Sequence, residues 1–165
     1  MATRAVPSFK TSIDLSETTR TQMIDLLNQN LADLADLYSQ TKQAHWNVKG
    51  IHFIELHKLF DELAEGVLEY VDMVAERATS LGGYAMGTAR MAAASSRLEE
   101  FPIEVTDGAE AVKILVSRYA TAAANVRSAI DTADDAGEMS TADLFTEISR
   151  ALDKNLWFLE AHIQG

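Results

Sequence analysis

The chain has 165 residues, of which 47% are hydrophobic and 24% charged, and it contains no cysteine. This balance is typical of a soluble globular protein, and the missing thiols exclude disulfides, zinc–thiolate sites and cysteine catalysis. The formal net charge of −11 argues against a general polyanion-binding protein and favours cations as partners, because most of the surface repels phosphates.

The N-terminal region predicts an irregular arm over residues 1–14 and no targeting segment. It lacks the apolar stretch of a secretory signal peptide, and no apolar run in the chain is long enough to span a membrane. We therefore expect a cytoplasmic protein with no membrane partner. Its length predicts a single domain over residues 1–165.

The first predicted helix runs from Ser16 to about Trp46. The Ser16 hydroxyl is suited to cap it, and Gly50 is expected to end it. Its apolar residues recur at spacings of three and four, as on one face of a helix: Met23, Leu26, Leu27, Leu31, Leu34 and Leu37.

The second predicted helix begins around His52–Phe53 and runs to Leu81, where two glycines break it. Its inward face is predicted to carry Phe53, Phe60, Ala64, Val67, Val71 and Ala78.

Residues 84–106 predict a long connection with a short helix at 88–98. A third helix is predicted over 107–134, with an apolar stripe of Val112, Leu115, Val116, Tyr119, Ala123, Val126 and Ile130. A fourth helix is predicted near 140–163, with an apolar stripe of Leu144, Ile148, Leu152, Leu156 and Leu159. Four long helices with one long crossover, between the second and third, predict an all-α four-helix bundle with the connectivity of ferritin-like proteins.

The second helix carries two pairs of candidate metal ligands. His57 and Asp61 lie four residues apart, as do Asp72 and Glu76, so each pair shares one face. Asp61 and Asp72 are separated by ~16 Å along the helix axis, whereas metal–ligand bonds are about 2 Å long. One ion therefore cannot touch both pairs of one helix. Two copies packed antiparallel across a two-fold axis would make two equivalent sites.

His45 fits the same interpretation, because the turn after the first helix returns the chain alongside the start of the second. Imidazole and carboxylate ligands together suit iron(II) or zinc and leave a position open for an oxidant. The alternative is a solvated acidic helix face, with His45 acting as a cap or surface residue. His162 is assigned no role.

At these positions the chain closely resembles a known family. The stretches KQAHWNVKGIHFIELHKLFDEL and DMVAERATSLGG, and ALDKNLWFLEAHI near the C-terminus, are similar to the signature of Dps proteins, the mini-ferritins of bacteria. The resemblance covers the chain from about residue 15. It implies a ferritin-like bundle assembled into a hollow shell of twelve subunits, with a ferroxidase centre at each two-fold interface.

By the same resemblance, His45, His57 and Asp61 come from one chain, and Asp72 and Glu76 from its mate. The implied reaction is oxidation of iron(II) by hydrogen peroxide, followed by storage of iron(III) as a mineral. Trp46 stands where the family places an aromatic ring near the iron. It either supplies an electron and limits release of hydroxyl radicals or only packs the helix hairpin.

The segment between the third and fourth helices is acidic and is a candidate cation entry path at the three-fold axes of such a shell. Its acidic residues are Asp131, Asp134, Asp135, Glu138 and Asp143, of which Asp143 is the preferred pore residue. A charged, solvated loop is the ordinary alternative.

Two features depart from the family pattern. The arm carries only Arg4 and Lys10, which predicts weak or no DNA binding, although a DNA-compacting stress-protection protein is the alternative function. His52 is an extra imidazole between the expected ligands, on a different side of the helix. It is interpreted as a surface residue at the start of the second helix, with binding of a second metal such as zinc as the alternative.

Overall fold

The computed structural model describes residues 8–165, most of which form five helices. The helices are α1 (Glu17–Asn47), α2 (Phe53–Ser80), α3 (Ala89–Ser95), α4 (Gly108–Asp135) and α5 (Met139–Glu160). In this part of the chain an isolated bridge between Lys49 and Asp107 is the only β-type pairing. The all-α bundle and the short helix in its crossover are therefore confirmed.

Two helical hairpins form the bundle. α1 packs along α2 and α4 along α5, while α1 also contacts α4 and the crossover helix α3. Phe60, Tyr119 and Phe145 are completely buried between the helices, and burial of each such side chain contributes about 1.5–3 kcal/mol. Between residues 8 and 165, every helix is too short or too polar to traverse a lipid bilayer.

The helix starts follow the capping signals of the sequence. The Ser16 hydroxyl accepts a hydrogen bond of 3.0 Å from the Thr19 N–H, as predicted. The Asp107 carboxylate does the same for the Glu110 N–H at the start of α4. Each cap satisfies a backbone donor that has no partner within its own helix.

The end of α1 agrees with the prediction, and the end of α5 differs from it. α1 ends at Asn47, so Gly50 lies beyond the helix, in the turn that leads into α2, where its φ of 110° suits a glycine. α5 ends at Glu160 rather than near 163. The N–H groups of His162 and Ile163 bond to carbonyls three residues earlier, and this tighter turn does not continue the α-helix.

The described part of the N-terminal arm is irregular, as predicted, and it is held by the glycine turn after α2. The Phe9 N–H donates to the Gly82 carbonyl at 2.7 Å. Gly82 has a φ of +90°, and a Cβ there would lie 2.5 Å from the Phe9 carbonyl oxygen. Residues 1–7, which include Arg4 of the predicted arm, lie outside the described residues.

The predicted apolar stripes are mostly buried, with one correction. Phe53 was expected to face inward but is 43% exposed, because it is the first residue of α2 and lies at the end of the α1–α2 hairpin, next to the connecting turn. The stripe residues at the edges of the core are half-buried: Leu26, Val71, Val116, Ile130, Leu144 and Leu156.

A buried carboxylate ties the crossover to the bundle. Asp33 of α1 is 2% exposed and accepts hydrogen bonds from the backbone and guanidinium of Arg97, after α3, and from Asn125 of α4. A buried charge of this kind is tolerated because it is paired and fully hydrogen-bonded.

Candidate metal centre

The two histidines next to the turn that joins α1 and α2 bind each other's backbone. His45 Nδ1 lies 2.7 Å from the His57 carbonyl oxygen, and His57 Nδ1 lies 2.9 Å from the His45 carbonyl oxygen. A carbonyl only accepts, so each Nδ1 carries the proton and, in the neutral ring, each Nε2 keeps a free lone pair. The rings stack with centroids 3.8 Å apart.

This reciprocal contact fixes both imidazole rings. Hydrogen bonds at Nδ1 set the tautomer and orientation of each ring, which is the usual support for a metal-binding histidine. His45 is 8% exposed, so it is not the surface residue or helix cap of the alternative interpretation. The turn predicted to bring His45 beside the start of α2 is confirmed.

Asp61 lies one turn after His57, and its Oδ1 is 3.8 Å from His45 Nε2. The same oxygen accepts a hydrogen bond of 2.5 Å from the Lys42 ammonium. This bond holds the pKa of Asp61 below its ordinary value, against the opposing effect of burial. The Asp61 side chain is 39% exposed, so the group opens to the outside of the subunit.

The other predicted pair does not join this group. Asp72 and Glu76 are exposed, further along α2. Across residues 8–165, no three His, Asp or Glu side chains lie close enough together to hold a metal ion. One subunit therefore places His45 beside both His57 and Asp61, but these three side chains are not close enough to hold a metal by themselves, and Asp72 and Glu76 lie further along α2.

The remaining aromatic and histidine candidates are all exposed. Trp46 is 65% exposed, so it does not pack inside the hairpin, and Lys42 Nζ lies 5.8 Å from its ring centroid. His52 is the exposed N-terminal cap residue of α2, which matches its interpretation as a surface residue. His162 is exposed beyond α5, and its Nδ1 bonds to the Phe158 carbonyl.

Lys42 is the residue of this site that sequence reasoning missed. Its position three residues before His45 places both side chains on one face of α1, and this spacing was an available signal. Nothing in the spacing showed which carboxylate the ammonium would meet, because Asp61 belongs to the other helix.

An apolar strip is exposed on the same face of α2 as Asp61. Ile54, Asp61 and Leu68 follow one another at intervals of seven residues, and Ile54 and Leu68 are 49% and 46% exposed. Residues seven apart lie on the same face of a helix, and apolar residues at this spacing are typical of a face that packs against another helix.

The carboxylates of the acidic segment between α4 and α5 are of two kinds, one buried and four exposed. Glu138 is 4% exposed; its carboxylate caps α5 by accepting from the N–H groups of Ser140 and Thr141 and pairs with Arg77 of α2 at 3.0 Å. It is therefore a structural residue, and this part of the pore prediction is corrected. The other acidic residues of the segment are exposed: Asp131, Asp134, Asp135 and Asp143.

Comparison with known proteins agrees with this architecture. Residues 24–165 match the ferritin-like domain family. The chain is 42% identical over 155 residues to the DNA protection during starvation protein of Agrobacterium fabrum, which covers 94% of this chain and 96% of that protein.

Two solved structures show the same likeness. DpsC from Streptomyces coelicolor has a TM-score of 0.93 at 28% identity, over 100% of this chain and 96% of that one. The Dps protein of Vibrio cholerae O1, described as a member of a broad superfamily of ferritin-like diiron-carboxylate proteins, has a TM-score of 0.88 at 26% identity, over 94% of this chain and 97% of that one. This chain therefore belongs to the Dps family of ferritin-like proteins.

Proposed function

We propose that this protein stores and detoxifies iron by oxidising iron(II) to iron(III), with hydrogen peroxide as the oxidant, at centres that two copies build together. The observation that carries the proposal is the pair of oriented imidazoles on the α1–α2 hairpin, one of which, His45, lies 3.8 Å from the Asp61 carboxylate. Imidazole nitrogen and carboxylate oxygen are ligands that iron(II) accepts, and zinc competes for the same set.

The second half is assigned to Asp72 and Glu76 of a second copy. In the proposed centre, His57 of one copy faces Glu76 of the other, and Asp61 faces Asp72. The midpoint of each of these two pairs along α2 falls at the same place, between Gly66 and Val67. A single two-fold axis through that point therefore satisfies both pairs at once and makes two equivalent centres. The exposed Ile54 and Leu68 on this face supply apolar surface for such a contact.

The residues divide the chemistry between them. Carboxylates are hard, charged ligands that favour the ferric product, while neutral imidazoles complete the site without excess negative charge. Reduction of one hydrogen peroxide to two waters takes two protons from solvent and two electrons, and two iron(II) ions supply the electrons, one each. Trp46, exposed beside His45, is a supporting residue that can supply an electron where only one iron is present.

We place these dimers in a shell of twelve subunits that stores the ferric mineral inside. Iron enters through pores at the three-fold axes, where the exposed carboxylates of the segment between α4 and α5 concentrate cations. Asp143 is our choice for the pore lining, because it is exposed at the start of α5.

Iron oxidation tests the proposal directly. The double variant His57→Ala/Asp61→Ala should oxidise iron(II) with hydrogen peroxide at least about 100-fold more slowly, because even outer partners of metal ligands contribute about 10–100-fold. His162→Ala, which removes an exposed imidazole outside the site, should keep the original rate. Size-exclusion chromatography must show the same oligomer for all three proteins. An unchanged rate in the double variant would exclude this centre.

DNA compaction is the alternative function, and the name of the Agrobacterium fabrum relative refers to DNA protection. The net charge is −11, and Arg4 and Lys10 are the only cations before residue 15, so few phosphate contacts are available. We expect no stable complex with duplex DNA in a gel shift at about 150 mM salt. Stable complexes at that salt concentration would favour the alternative.

A further inference from the structure

Lys42 occupies the place where the proposed centre needs a metal. Its ammonium lies 2.5 Å from Asp61 Oδ1, and His45 Nε2 lies 3.8 Å from the same oxygen. The Lys42 side chain is 19% exposed, so most of its length is packed in the hairpin. The carboxylate oxygen nearest to the imidazole ligand is thus already bound to a cation that belongs to the chain.

This ammonium and a divalent metal cannot share Asp61 without strong repulsion. Two cations held by one carboxylate lie within a few ångströms of each other, where charges still interact appreciably even near a protein surface. A metal that binds Asp61 and His45 must therefore displace Lys42 from the carboxylate.

The displaced ammonium has a second favourable position nearby. Trp46 follows Lys42 by four residues, on the same side of α1, and its exposed ring centroid is already 5.8 Å from Nζ. The face of an indole is the best aromatic partner for a cation within about 6 Å. A small change of side-chain torsions lets Nζ leave Asp61 without losing all of its favourable contacts.

We propose that Lys42 is a positioning residue that moves between two partners according to the occupancy of the centre. In the metal-free protein it neutralises Asp61 while lying over the Trp46 ring at 5.8 Å, and when a divalent metal takes Asp61 it leaves the carboxylate and moves closer to the face of that ring. This inference rests on the proposed function, because it assumes that Asp61 is a metal ligand.

The arrangement has two consequences. In the metal-free dimer Lys42 offsets the mutual repulsion of Asp61 with Asp72 and Glu76 of a second copy, so the interface forms before iron arrives. In the loaded centre a cation on the indole lowers the energy of the ring electrons. Lys42 therefore makes Trp46 harder to oxidise, so that the ring supplies an electron only where a second iron is not available to do so.

Zinc titration tests the movement without any redox step. Trp157→Phe leaves Trp46 as the only tryptophan, and its emission is followed while calorimetry measures zinc affinity in the assembled protein. Zinc should change the Trp46 emission saturably. Adding Lys42→Met should tighten zinc binding about fivefold or more, since a partly exposed ion pair no longer competes, and should remove most of the emission change.

Lys154→Met is the matched control. It also removes a lysine that lies over an aromatic ring, at 5.5 Å from the Phe158 centroid, and it should leave both readouts unchanged. Unaltered zinc affinity in Lys42→Met, or an intact Trp46 response, would each overturn the inference. Zinc binding that is absent, or that survives His57→Ala/Asp61→Ala, would instead overturn the proposed centre and this inference with it.

Discussion

Subunits with Asp61→Ala and subunits with Asp72→Ala should each be inactive alone, yet oligomers assembled from an equal mixture should recover about a quarter of the original iron oxidation. Each proposed centre takes Asp61 from one chain and Asp72 from another. In a random mixture about one centre in four receives both intact residues, because a two-fold interface contains two such centres and each draws on both chains.

A second mixture distinguishes this arrangement from a centre within one chain. The double variant Asp61→Ala/Asp72→Ala mixed equally with the unmodified protein should also give about a quarter of the activity if each centre spans two chains. A centre within one chain predicts no recovery in the first mixture and half of the activity in the second. Initial rates of peroxide-dependent iron(II) oxidation, measured after dissociation and reassembly, separate the two cases.

Glu138→Ala should destabilise the protein by about 3 kcal/mol or more, because it leaves the Arg77 guanidinium without its partner in a largely buried site. It also removes the acceptor for two N–H groups at the start of α5. For a chain of this length the melting temperature should fall by about 6–12 °C. Asp135→Ala, an equal loss of charge at an exposed position of the same segment, should have little effect.

The contribution of Glu138 should depend on pH in a defined direction. Burial alone raises its pKa, but hydrogen bonds from Thr141 and Arg77 outweigh burial and bring the pKa below the ordinary value of 4.5. The stabilisation is therefore fully present above about pH 4.5 and is lost as the pH falls through the lower pKa of the folded state. The melting temperatures of Glu138→Ala and the unmodified protein should converge as the pH falls below about 4.5. A difference that stays constant over this range would contradict the role of the carboxylate charge.

Helix positions were predictable because their signals are local. The spacing of apolar residues and the cap at Ser16 placed α1, α2, α4 and α5 within a few residues of their observed bounds. The errors occur where tertiary contact replaces local preference. Phe53 belongs to an apolar stripe, but its ring, at the first position of α2, stays 43% exposed.

The acidic segment shows the limit of composition as a guide. Nothing in the sequence distinguishes its five carboxylates, but Glu138 pairs with Arg77, which lies 61 positions earlier in the chain. That contact turns one member of a predicted pore into a helix cap and leaves the other four exposed. No local pattern separates the two roles, because the deciding charge lies on another helix.

The amino-acid sequence by itself determined the helices, their connectivity and the residue types suited to a metal, because helical periodicity and ligand chemistry depend on neighbours within a few turns. Tertiary structure alone decided how those residues meet. The crossed hydrogen bonds between His45 and His57 join residues 12 positions apart, and the capture of Asp61 by Lys42 spans 19. Both contacts exist only because α1 and α2 pack side by side and bring distant side chains within hydrogen-bonding distance.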